Sequence, residues 1–120
     1  MNARISDSEM EIMRLIWNSA KPISAAELMK LLNAKNWKLT TLLTFLSRLT
    51  EKGFLTVSKS QRTNLYAATV SFEAYKAMET EQFMKQIHGG SVKSLFAALA
   101  TAEQLSEDDL KELKQLLESR

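Results

Sequence analysis

The sequence predicts a mainly α-helical fold with one small β-hairpin. Three helices and the hairpin fall within residues 1–70, and three further helices within residues 71–120. Three observations carry this expectation. A serine cap flanked by apolar residues recurs along the chain. Glycine and proline are scarce, three and one in 120 residues, so each marks a break. Between Gly53 and Ser71, helical periodicity gives way to two β-compatible runs around a polar turn.

The helix starts come first. In Ile5-Ser6-Asp7-Ser8-Glu9-Met10, the serine hydroxyl can accept an orphan N–H, and Glu9 completes a capping box. The flanking apolar pair fixes the entry angle of the chain. Ile23-Ser24-Ala25-Ala26-Glu27-Leu28 repeats the device. Leu105-Ser106-Glu107-Asp108-Asp109-Leu110 has the apolar pair with a weaker box, and Val70-Ser71-Phe72-Glu73-Ala74-Tyr75 has the pair without the box. The helices are expected at about 6–19, 24–34, 38–52, 71–88, 91–102 and 106–119. Gly53 and Gly89-Gly90 stop helices, because glycine accepts positive φ without a Cβ clash. Pro22 sits in a short connection. Phe54-Leu55-Thr56-Val57-Ser58 and Asn64-Leu65-Tyr66-Ala67-Ala68-Thr69 flank Lys59-Ser60-Gln61-Arg62-Thr63, a hairpin with a basic tip. Three helices followed by a hairpin is the order of a winged helix-turn-helix.

Composition removes several function classes. There is no cysteine and one histidine, His88. Disulfides, thiol nucleophiles, cysteine-based metal sites and histidine triads are therefore excluded, and no nucleophile–base pair or phosphate loop points to an enzyme. No cofactor and no metal site is expected. No apolar run approaches the ~18–20 residues of a membrane span, and the first residues do not resemble a signal peptide. Membrane insertion is not expected, and the default location is cytoplasmic.

Charge divides the chain. Residues 1–70 hold ten basic and five acidic side chains, whereas residues 71–120 hold six and nine. From residue 35 to 62, Lys35, Lys38, Arg48, Lys52, Lys59 and Arg62 stand against Glu51 alone. A basic half facing a polyanion fits such a split. Residues 1–70 are thus read as a winged-helix DNA-binding domain.

Helix three sharpens that expectation. Leu39, Leu42, Leu46 and Leu49 form one apolar stripe facing the core. The opposite face carries Thr40, Thr41, Thr44, Ser47, Arg48 and Glu51, with Leu43 also pointing away from the stripe. Small hydroxyl side chains permit close approach to a groove and can bond phosphates or base edges. Leu43 could pack incidentally or meet a thymine methyl. Lys38, Arg48 and Lys52 on the helix, with Lys59 and Arg62 on the hairpin, suit a DNA backbone equally well as a solvated face. A winged-helix module that binds protein and no DNA is the alternative reading.

Residues 71–120 are too few for a comfortable independent core. Their apolar residues must pack either on the first domain or on a second copy, and in the second case Phe83, Ile87, Leu95, Phe96, Leu99, Leu110, Leu113 and Leu117 are the expected dimerisation set. His88 reads as a helix-end residue, and Trp17 and Trp37 as core aromatics. Glu107, Asp108, Asp109 and Glu112 lie in the first turns of a helix, where the dipole favours acid.

These residues resemble the penicillinase-repressor family of bacterial transcription factors, the BlaI/MecI type. Glu9-Met10-Glu11-Ile12-Met13-Arg14-Leu15-Ile16-Trp17 is similar to its first helix. Trp37, then Thr41 and Thr44, then Arg48-Leu49, then Lys52-Gly53-Phe54, resembles its recognition-helix signature. Gly89-Gly90, Ser94-Leu95 and the last helix resemble its dimerisation region. The resemblance implies a homodimeric repressor on an inverted-repeat operator, controlling antibiotic-resistance or stress genes. Thr41, Thr44 and Arg48 match positions of DNA contact, and Arg62 matches a basic wing position. It also implies a membrane sensor protease as partner, cutting family members at an Asn–Phe bond. Ala98-Leu99 stands at that place here. A copper-responsive branch carries cysteines that this sequence lacks.

Overall fold

A computed structural model describes residues 4–33 and 36–119 of the chain, so Lys35 lies outside the described residues. Among these, α1 (Asp7–Trp17), β1 (Ile23–Ser24), α2 (Ala25–Leu31), α3 (Leu39–Glu51), β2 (Leu55–Ser60), β3 (Thr63–Ala68), α4 (Phe72–His88), α5 (Val92–Thr101) and α6 (Glu107–Glu118) follow in order. The chain divides into two compact units, Met1–Tyr75 and Lys76–Arg120.

The serine devices act as expected. Ser6, Ser24 and Ser106 each cap a helix through a complete box with Glu9, Glu27 and Asp109. Ser71 Oγ accepts the Ala74 N–H at 3.0 Å. A fifth cap, Ser91 Oγ to the Ser94 N–H at 3.0 Å, opens α5 and lacks the preceding apolar residue that marked the others. Asp109 is engaged in its capping box, which accounts for one member of the acidic cluster.

The core of the first unit joins Ile12, Met13 and Ile16 of α1, Leu28 of α2, and Leu42, Leu46 and Leu49 of α3 to Phe54, Leu55, Tyr66 and Tyr75. Emptying one such site, as in Leu46→Ala, costs about 2–5 kcal/mol. Trp17 is half-buried. Its indole N–H donates to the Val70 carbonyl at 2.9 Å, and its ring lies 5.1 Å from Phe72 and 5.4 Å from Tyr75. The start of α4 is thereby tied to the end of α1.

Three expectations change. The sheet has three strands in the order β1-β3-β2, because Ile23 and Ser24 pair with Tyr66 and Leu65. The hairpin tip is tighter than the five-residue turn expected. Ser60 pairs with Thr63, leaving only Gln61 and Arg62 in the loop, both at positive φ (49° and 68°). That is the twist a two-residue connection requires, here made without Asn or Gly. Leu39 leaves the core stripe and is 49 % exposed, since it occupies the first turn of α3 and the core begins one turn later.

In the second unit, no residue of α5 or α6 is buried within the single chain. Gly89 and Gly90 both adopt positive φ where α4 ends. His88 Nδ1 lies 2.8 Å from Ser94 Oγ, and its ring meets Phe83 edge-on at 5.0 Å. Among the described residues, no helix is long and apolar enough to cross a membrane.

Candidate nucleic-acid interface

Helix α3 is held by one face and leaves the other unpacked. Leu42, Leu46 and Leu49 are fully buried, while Thr40, Thr41, Leu43, Thr44, Ser47 and Arg48 are all exposed. Gly53 at φ 89° closes the helix. The Phe54 N–H donates to the Leu49 carbonyl at 2.9 Å, and the Gly53 N–H to Thr50 at 3.0 Å. This paired closure satisfies two end carbonyls. At the start, Lys38 is the N-cap residue, exposed and without a side-chain cap bond.

The outward face has defined hydrogen-bond roles. Thr44 Oγ1 donates to the Thr40 carbonyl at 2.9 Å. Its proton is thus spent on the backbone, and its lone pairs face outward as acceptors. The Arg48 Cζ lies 5.7 Å from the centroid of the Phe45 ring, and Phe45 lies 5.4 Å from Trp37. Trp37, expected as a core aromatic, is half-buried against the core, whereas the sequence alone assigns Phe45 no role. The i, i+3 spacing of Phe45 and Arg48 was the available signal.

The hairpin packs beside this helix through β2. Lys59 and Arg62 are exposed at its tip. Its base is closed by the Thr69 N–H donating to the Phe54 carbonyl at 2.9 Å and by Thr69 Oγ1 donating to Gly53 at 2.6 Å. The end of α3 and the base of the hairpin are therefore one clamped unit.

Lys52 is placed differently from Arg48. Its ammonium turns inward, 2.7 Å from Glu9 Oε1 and 2.9 Å from the Arg4 carbonyl. Glu9 is buried, and the same Oε1 accepts the Ser6 N–H at 2.8 Å. Burial pushes the Glu9 carboxyl up. Hydrogen bonds from Lys52 and Ser6, with the nearby ammonium charge, outweigh it and hold the group below its ordinary value of 4.5. Oε2 has no partner among the described residues. A cation spent on a buried carboxylate is not free for a phosphate, so Lys52 leaves the candidate interface.

In the second unit the apolar set divides. Phe83, Ile87, Leu110 and Leu117 are exposed, while Leu95, Phe96, Leu99 and Leu113 are half-buried. Val92 and Leu116, outside the expected set, are 57 % and 62 % exposed.

The chain is similar to known proteins over most of its length. Residues 5–119 match the family model described as penicillinase repressor. The penicillinase repressor of Bacillus licheniformis is 29 % identical over 115 residues, covering 96 % of this chain and 90 % of its own. The methicillin resistance regulatory protein MecI of Staphylococcus aureus is 27 % identical over 116 residues, covering 97 % and 94 %. Among solved structures, the monomeric form of Bacillus licheniformis BlaI in complex with the blaP half-operator is similar at 33 % identity. It aligns with a TM-score of 0.52, covering 62 % of this chain and 92 % of that one. On the breadth of the family match, the chain belongs to the penicillinase repressor family.

Proposed function

We propose that this chain is a DNA-binding transcriptional repressor acting as a homodimer on an inverted-repeat operator. The observation that carries the reading is the outward face of α3, with three threonines, a serine and Arg48 exposed beside a hairpin tipped by Lys59 and Arg62. Helix α3 would enter the major groove. Thr41, Thr44 and Ser47 would reach base edges or phosphates, Leu43 would meet a thymine methyl, and Lys38, Thr40, Arg48, Lys59 and Arg62 would grip the backbone. The relative solved in complex with a half-operator supports carrying DNA binding over to this chain. The acidic second unit, unable to bury α5 and α6 alone, would supply the two-fold contact. Ala98 and Leu99 lie inside α5, so relief by cleavage there requires a protease that accepts this pair and opens the helix.

The test is an anisotropy titration on a duplex from the region upstream of its own gene. Binding should fall steeply with salt, with a slope set by roughly six to ten phosphates per complex. Arg48→Ala should weaken binding on every sequence and lower the slope by about two, one for each protomer. No binding, or binding indifferent to salt, would leave the protein-interaction reading instead. For the dimer, Leu113→Glu should give monomers in analytical ultracentrifugation. An unchanged mass would remove Leu113 from the contact.

A further inference from the structure

We propose that Phe45 is a positioning residue, its ring holding the Arg48 guanidinium in the orientation from which it grips a DNA phosphate. The inference rests on the DNA-binding reading above and deepens it. Arg48 is exposed in the last turn of α3, where a long side chain would otherwise sample many rotamers. Its Cζ lies 5.7 Å from the Phe45 centroid, within the range of a cation–π contact. Phe45 is itself fixed. It is half-buried against the core, and its ring is tilted 49° against Trp37 at 5.4 Å. The row Trp37–Phe45–Arg48 therefore runs from packed to solvated.

A guanidinium held over a ring by its charge keeps its N–H donors free, and these are the donors a phosphate takes in pairs. The arrangement orders the side chain before DNA arrives, which lowers the entropy lost on binding. A cation that merely complemented the helix dipole would gain nothing from an aromatic neighbour.

A double-mutant cycle tests this, read on the upstream duplex and on a scrambled duplex of equal length. Phe45→Leu should weaken both by about five- to thirtyfold, which is about two- to fivefold for each of the two protomers, the worth of an exposed cation–π contact. Phe45→Tyr should bind like wild type. Phe45→Leu combined with Arg48→Ala should be no weaker than Arg48→Ala alone. A DNA-free measurement accompanies the cycle. The Arg48 δ-methylene protons should shift upfield in NMR of the wild type and of Phe45→Tyr, and return in Phe45→Leu. Additive losses, wild-type affinity in Phe45→Leu, or no upfield shift in the wild type would each overturn the proposal, the last even where Phe45→Leu does not fold. A wild type that shows the shift yet binds neither duplex would overturn the DNA reading, and this role with it, while leaving the stack intact.

Discussion

Replacing Lys52 with methionine would strand the Glu9 carboxylate inside the first unit. The pair is asymmetric: the Glu9 side chain is 2 % exposed and that of Lys52 is 24 % exposed. Removing one partner of a fully buried pair costs about 3–5 kcal/mol, and water access on the lysine side reduces this to about 2–3 kcal/mol. Urea unfolding at pH 7 and fixed protein concentration reads the loss directly. With a slope of about 1–3 kcal/mol per molar, the midpoint should fall by about 1 M. Glu9→Gln with Lys52→Met should recover much of it, since the stranded charge is gone. The pH dependence has a definite sign. The folded-state pKa of Glu9 lies below its ordinary value of 4.5, so the folded state holds the proton less tightly than the unfolded chain. The stabilisation is therefore complete above that value and is lost as pH falls through the lower, folded-state value. Glu9→Gln should flatten this acid limb. The reasoning is refuted if Lys52→Met unfolds like wild type while losing DNA affinity, because Lys52 would then serve a phosphate and not Glu9.

The hairpin tip and the end of α5 give two further outcomes. Gln61→Asn with Arg62→Gly suits the two positive-φ positions and should raise stability by about 1 kcal/mol, while removing a tip cation from each protomer and lowering the salt slope of DNA binding by about two. Equal slopes would take Arg62 off the DNA. Glu103 sits at φ 57° where the Gln104 N–H closes onto the Leu99 carbonyl at 2.9 Å, so Glu103→Gly should stabilise the protein by up to about 1 kcal/mol in the same unfolding assay, and a loss would refute the strain.

What the sequence disclosed was local. A serine hydroxyl and a carboxylate three residues on define a cap within one turn, so Ser6, Ser24 and Ser106 were legible without any knowledge of tertiary contacts. Leu42, Leu46 and Leu49 were legible for the same reason, as a stripe on one helix. The tight hairpin tip and the exposure of Leu39 were local misses, but two others are long-range. Strand β1 has two residues and exists only because Tyr66 and Leu65 arrive beside it. The partner of Lys52 is 43 positions away. In the sequence, Lys52 and Arg48 are the same kind of cation one turn apart, and only the packing of α1 against α3 turns one of them inward.

That division has a consequence for reading variants. Helix α3 is fixed by three leucines on its inner face, by Lys52 on Glu9 behind it, and by the Gly53 closure that runs into the hairpin base. None of these uses Thr41, Thr44, Ser47 or Arg48. On the proposed DNA-binding role, substitutions on the outer face should change what the helix can grip with little effect on whether it folds, since exposed positions away from caps and core shift stability by only about 0.5 kcal/mol. Substitutions at Lys52 or Leu46 do the reverse, lowering affinity only through the fraction folded. Measuring stability and affinity on the same variants separates the two groups. An Arg48→Ala protein that lost both would mean that the stack on Phe45 supports the fold and not the grip.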